Sequence, residues 1–173
     1  MDIDVHPCLS KYNFEISKMS VYSGRLLKIL SGNKLPPCDS LGFGMGYNLS
    51  TRSQTWKEGA YVIVERHTAS DWSAFEWNLS CLRSILTLCR EKSWRPVLVT
   101  LPASHHYYNS LDSAQIGKMY EVVEMMKSEY ADVEYFDFLK DENFVDEDFF
   151  DCDHLSDIGA RKFSKMLKDS ISH

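Results

Sequence analysis

The residues best placed to do chemistry together stand near the C-terminus, in the run Asp148-Phe149-Phe150-Asp151-Cys152-Asp153-His154-Leu155-Ser156-Asp157-Ile158-Gly159-Ala160. Asp151 and His154 are three residues apart. A helix is expected directly behind them. Ser156 has the chemistry of an N-cap, and Ala160, Phe163, Leu167 and Ile171 recur at helical spacing. On a tight turn ahead of a helix, an Asp and a His can touch. The carboxylate then accepts the Nδ1 proton, which fixes the tautomer and leaves Nε2 free as a general base. The helix N-terminus disfavours imidazolium and the carboxylate favours it, a competition that can poise the ring to take and return a proton near neutral pH. The plainer reading of the same residues is a capping Asp and a surface His. Cys152 is a weaker nucleophile candidate, because adjacent residues on a turn usually point apart.

The longer string Asp-x-x-His-Leu-Ser-x-x-Gly-Ala, followed by an amphipathic C-terminal helix, resembles the last motif block of the SGNH (GDSL-type) hydrolases. The nearest resemblance is to bacterial SGNH-like proteins related to D-alanyl-lipoteichoic acid transfer and polysaccharide O-acetylation, and it is carried by residues 72–171. The resemblance implies a flavodoxin-like three-layer α/β fold with a parallel sheet. It also implies that Asp151 orients His154 as the base of a Ser-His-Asp triad. Asp153 is the less favoured acid, since the family pattern puts the acid three residues before the His. Acyl transfer through serine implies no cofactor, and a small acylated or carbohydrate ester is the implied substrate.

Other residues are secondary. His67 follows the apolar run 60–64, and His105, His106, Tyr107 and Tyr108 follow the run 96–101. The C-terminal ends of parallel strands are where open α/β sheets carry sites, so His67, His105 and Tyr107 are expected to contact substrate. Adjacent histidines also suggest a metal. Neighbours in sequence rarely ligate one ion, however, and no acidic pair stands near them at ligand spacing, so no metal is expected. His6 beside Asp2 and Asp4 reads as solvated loop. The acidic stretch 141–148 lacks the glycine and spacing of a calcium-binding hand and also reads as solvated loop. Gly42, Gly44 and Gly46 have neither the strand before nor the helix after that a dinucleotide fingerprint needs, and read as a turn region.

These residues must be positioned by elements whose patterns are legible. A helix is expected over 16–30, with Met19, Tyr22, Leu26 and Ile29 on one face; Pro36 and Pro37 prevent its restart. The run Ala60-Tyr61-Val62-Ile63-Val64 reads as a short strand. Asp71 is expected to cap a helix running to Lys92, in which Phe75, Leu79, Leu82, Leu86 and Cys89 form an apolar stripe facing a sheet. Residues 96–101 read as a strand buried on both faces, which implies a parallel sheet covered by helices. A helix over 113–130, with Ile116, Tyr120, Val123 and Lys127 in register, precedes a strand at 133–138. Asp137 at its end is an exposed carboxylate or a supporting acid. The order is that of βαβ units. One domain is expected: an irregular and helical segment over 1–59 and an α/β core over 60–173.

Composition bounds the function classes. The chain has 173 residues, 44% hydrophobic and 13% aromatic, which suits a globular domain with a real core. A net charge of -6 argues against a nucleic-acid surface. No apolar run is long enough to span a membrane, and the acidic start lacks a signal peptide's apolar core, so a cytoplasmic location is expected. Five cysteines with no Cys-x-x-Cys read as free thiols.

A Ser-His-Asp hydrolase also needs a nucleophile and an oxyanion hole. SGNH proteins carry Gly-Asp-Ser or a variant after their first strand. No strand–Gly-x-Ser–helix run occurs here; Ser40 follows Pro36 and Pro37 instead of a strand, and Glu65-Arg66-His67-Thr68 stands where an oxyanion block would fall. The expectation is therefore an incomplete sheet, with the serine supplied from outside these residues. The function expected is SGNH-like esterase or acyltransferase chemistry, in a form inactive alone. The alternative is a non-catalytic α/β binding or partner protein that kept the turn as structure.

Overall fold

The computed structural model describes residues 46–172, together with Ser23, Leu27, Leu30, Ser31 and Gly32. The chain divides into two units, Met1–Gly46 and Tyr47–His173. The helix expected over 16–30 lies outside the described residues except at Ser23, Leu27 and Leu30, which are helical and exposed. Ser40, Gly42, Gly44, His6, Cys8 and Cys38 also lie outside them.

The second unit is mixed α/β. It runs through a 3-10 turn Leu49–Thr51, α1 (Ala60–His67), α2 (Phe75–Glu91), β1 (Val97–Thr100), α3 (His105–Tyr108), α4 (Ser113–Glu129), β2 (Glu134–Asp137), a 3-10 turn Asp146–Asp148 and α5 (Asp157–Ile171). β1 and β2 pair in parallel, with Val97 opposite Glu134 and Thr100 opposite Asp137. Among the described residues the sheet has these two strands only.

The strand expected at 60–64 is helix α1 instead. Ala60 and Val64, four residues apart, are buried, while Tyr61 and Val62 are exposed. That is one face of a helix, not the alternation of a strand. The β-branched run supplied a weak local preference, and packing of Ala60 and Val64 into the interior overrode it. The helix stops where the Thr68 N–H and Oγ1 both donate to Val64 O, at 2.8 and 2.9 Å.

α2 lays the expected stripe inward. Leu79 and Leu86 join Met126, Tyr130 and Val133 in the main core, with Phe75, Leu82 and Leu98 packed against them. Burial of side chains such as Leu86 and Met126 contributes roughly 1.5–3 kcal/mol each. Asp71 does not cap α2 itself. Its carboxylate accepts from Ser73 N (2.8 Å) and Ser73 Oγ (2.7 Å), closing the turn that feeds the helix. α4 is capped by Asp112, which accepts from Gln115 N. Its buried line runs through Val123 and Met126, so Lys127 is exposed and pairs with Glu124 instead of lying on the core stripe.

β1 is half-buried along its length, not enclosed on both faces as its unbroken apolar run implies. Among the described residues β1 pairs on one side only. A cleft of about 500 Å³ is lined by Leu98, Val99 and Thr100 in succession and by Trp72, Phe75 and Met119. None of the site residues expected from the sequence lines it.

Candidate functional site

The turn ahead of α5 is built by its own backbone. Ser156, fully buried, accepts from Gly159 N at 3.2 Å and donates its hydroxyl to Glu147 O at 2.9 Å. Phe150 N donates to His154 O at 2.9 Å, closing the loop between them. On the side facing β1, Ser104 anchors the loop by donating both N–H (3.3 Å) and Oγ (2.7 Å) to Cys152 O. Arg52 ties the same region from the other side, donating to Asp146 O and Phe149 O at 2.6 and 2.9 Å.

Within this frame Asp151 and His154 meet. His154 Nδ1 lies 3.0 Å from Asp151 Oδ1 and 3.1 Å from Oδ2. Asp151 Oδ1 also accepts from the backbone N–H of His154 (2.8 Å) and of Asp153 (3.2 Å). An acceptor-only carboxylate in contact with Nδ1 assigns the ring proton to Nδ1 and leaves Nε2 as the basic nitrogen. The His154 side chain is 54% exposed. Asp153 is the more distant carboxylate, 3.4 Å from Nδ1. Burial, with the Asp151 carboxylate beside it, holds the Asp153 carboxyl above its ordinary range, against the opposing pull of His154. Tyr47 lies over the site with its ring 5.5 Å from that of His154, and meets Phe150 edge-on at 4.9 Å. The Tyr47 carbonyl accepts from Asp157 N at 2.9 Å, which holds the strand of chain in place.

His67 and Tyr107, distant in sequence, are brought together. Tyr107 OH and His67 Nδ1 are hydrogen-bonded at 2.8 Å. Burial raises the Tyr107 hydroxyl, and the charge of Asp153 raises it further; Ser104, three residues before Tyr107, is bonded to Cys152 O of the turn. His105 does not join them. It stacks on His106, with centroids 3.7 Å apart, and faces Asp146 at 3.9 Å. Cys152 is fully buried, and burial with the neighbouring Asp153 and Asp151 pushes its thiol up to about 12. A thiol so protonated at neutral pH makes no nucleophile.

The acidic stretch 141–148 is not simply solvated. Asp148 is buried and paired with Lys162 at 2.7 Å, and its Oδ2 also accepts from Val145 N. Lys162 further donates to Asn143 O. Asp137 accepts from Tyr120 OH (2.7 Å) and Leu139 N (3.0 Å), and so closes the end of β2. Sequence reasoning passed over Tyr47, Ser104 and Asp146 because their contacts are made across long stretches of chain. The one local signal was Asp146 lying five residues before Asp151 in an acidic run.

Compared with protein-family models, curated proteins and solved structures, the chain gives no match. Among the described residues no helix is long and apolar enough to cross a membrane.

Proposed function

We propose that the Asp151–His154 turn is the acid–base half of an SGNH-like serine esterase or acyltransferase site. His154 acts as general base and then general acid, and Asp151 orients it. The observation that carries this reading is the ring of a half-exposed His154 held at Nδ1 by both Asp151 oxygens. His67 and Tyr107, hydrogen-bonded to each other, are assigned to the substrate, a small acyl ester such as an acylated carbohydrate; His105, beside His106 and Asp146, is given no part in this reading. The two-stranded parallel sheet is taken as part of a flavodoxin-like three-layer arrangement, and the serine is supplied by residues other than the described ones.

The second reading, a non-catalytic α/β binding protein, draws on the serines. Among the described residues no serine hydroxyl is bonded to His154, and Ser104 is buried and committed to Cys152 O. Hydrolysis of p-nitrophenyl acetate and acetylated oligosaccharides by the full natural form of the protein separates the two. His154→Ala is expected to lower turnover by at least about 100-fold with far-UV circular dichroism unchanged. Turnover that His154→Ala leaves intact refutes the acid–base assignment, and a natural form inactive on every short-chain ester favours the binding reading.

A further inference from the structure

The turn at Asp146–Asp148 brings a carboxylate to the paired histidines that begin α3. His105, His106 and Asp146 each offer one ligand atom, and these atoms lie within 4.8 Å of one another. The sequence argued against a metal because adjacent histidines had no acidic partner nearby. The fold supplies that partner from forty residues downstream. A separate observation points the same way. His106 Nε2 is buried and has no hydrogen-bond partner. Buried polar groups are nearly always partnered, yet one of the three candidate ligands carries a ring nitrogen that no group among the described residues satisfies.

We propose that His105, His106 and Asp146 bind one divalent transition-metal ion, of which zinc is the best fit. Two imidazoles and one carboxylate suit zinc, cobalt, nickel or copper, whereas calcium and magnesium take oxygen donors. Three protein ligands leave a fourth tetrahedral position for water. Metal–ligand bonds of about 2.0–2.1 Å set the ligand atoms of a tetrahedron about 3.3 Å apart, so atoms now within 4.8 Å of one another close by up to about 1.5 Å on binding. The side chain that moves is the exposed His105, since Lys57 and Arg52 hold Asp146. His105 is 52% and Asp146 32% exposed, and the 3.9 Å between His105 Nδ1 and Asp146 Oδ1 is too long to be a hydrogen bond that must be broken.

The surroundings are fixed in the way such sites require. Lys57 Nζ holds Asp146 Oδ2 at 2.5 Å, leaving Oδ1 toward the histidines. Arg52 holds the Asp146 carbonyl. The Trp56 ring meets His106 edge-on at 5.6 Å and limits its rotation. Partners of this kind orient ligands and are worth about 10- to 100-fold in metal affinity. A second cluster of this type among the described residues, Asp151, Asp153 and His154, lacks the orphaned nitrogen. There the Asp151 Oδ1 already accepts three hydrogen bonds, one of them from His154 Nδ1.

The test titrates the full chain, freed of metal, with Zn²⁺ by calorimetry and with Co²⁺ by visible absorption. One ion per chain is expected, with tetrahedral Co²⁺ d–d bands and no thiolate-to-cobalt charge-transfer band. His106→Gln and Asp146→Asn should each weaken Zn²⁺ binding at least about 10-fold, while Asp151→Asn leaves it unchanged. Far-UV circular dichroism checks that each variant is folded, and His105→Gln serves as a second variant at the exposed ligand. Absence of stoichiometric binding overturns the proposal. So does a thiolate band, or loss of binding in Asp151→Asn but not in His106→Gln. None of these outcomes bears on ester hydrolysis, so this site stands or falls apart from the function proposed above.

Discussion

Gly159 offers the sharpest test of how the candidate site is held. It lies in the first turn of α5, directly over the backbone of the Asp146–Asp148 turn. A Cβ built there falls 2.0 Å from Asp148 O, 2.8 Å from Asp148 C and 2.9 Å from Asp148 Cα. These are backbone atoms and cannot rotate away. Gly159→Ala must therefore move α5 from the turn by about 1 Å or more, since contacts below about 3 Å are not sustained. Three interactions bridge that gap: Ser156 N to Asp148 O (2.8 Å), Ser156 Oγ to Glu147 O (2.9 Å) and Lys162 to Asp148 (2.7 Å). Each would be stretched beyond hydrogen-bonding range. At about 1 kcal/mol for the neutral bonds and about 1.5–3 kcal/mol for the charged one, the loss is about 4 kcal/mol. The helix preference of Ala over Gly returns at most about 1 kcal/mol. The net expectation is a destabilisation of about 3 kcal/mol, a large share of a typical domain's stability. Urea unfolding followed by tryptophan fluorescence and by circular dichroism measures it. The sign makes the test decisive, because an unobstructed helical glycine gains stability when replaced by Ala. A Gly159→Ala protein as stable as the parent, or more so, refutes the packing argument.

Two further outcomes follow from the same physics. Lys162→Met leaves the buried Asp148 carboxylate with only the Val145 N–H, and should cost about 2–3 kcal/mol, somewhat less than a fully buried pair because Lys162 is partly exposed; Asp148→Asn in the same chain should recover part of the loss in a double-mutant cycle by urea unfolding. The Arg83 guanidinium grips Glu129 through two bonds, 2.7 and 2.8 Å, and holds its carboxyl below the ordinary range. A carboxylate depressed in the folded state contributes stability that is complete above the unfolded value, about 4.3, and is lost as pH falls through the lower folded one. The stability gap between the parent and Glu129→Gln, read from urea midpoints across pH, should therefore be open at neutral pH and close under acid; a gap independent of pH would contradict it.

What was legible in the sequence shares one property: the interactions lie close along the chain. The apolar stripe of α2, the strands at 97–100 and 134–137, the Ser156 cap and the contact of Asp151 with His154 all depend on residues within a few positions of each other. Helical and strand periodicity and capping chemistry act over that range, so residue type and spacing were enough. At 60–67 the local signal misled, because a short apolar run carries little preference of its own and takes the state that buries its best face. The tertiary structure alone decided the rest. It set Tyr47 over His154, paired His67 with Tyr107, buried Asp148 against Lys162, and drew Asp146 to His105 and His106. Each joins side chains whose separation in space is set by how whole elements pack. Gly159 shows both sides of this. Its place in the motif was visible in the residues, but the reason only Gly fits, the Asp148 backbone lying against it, exists only once α5 has docked.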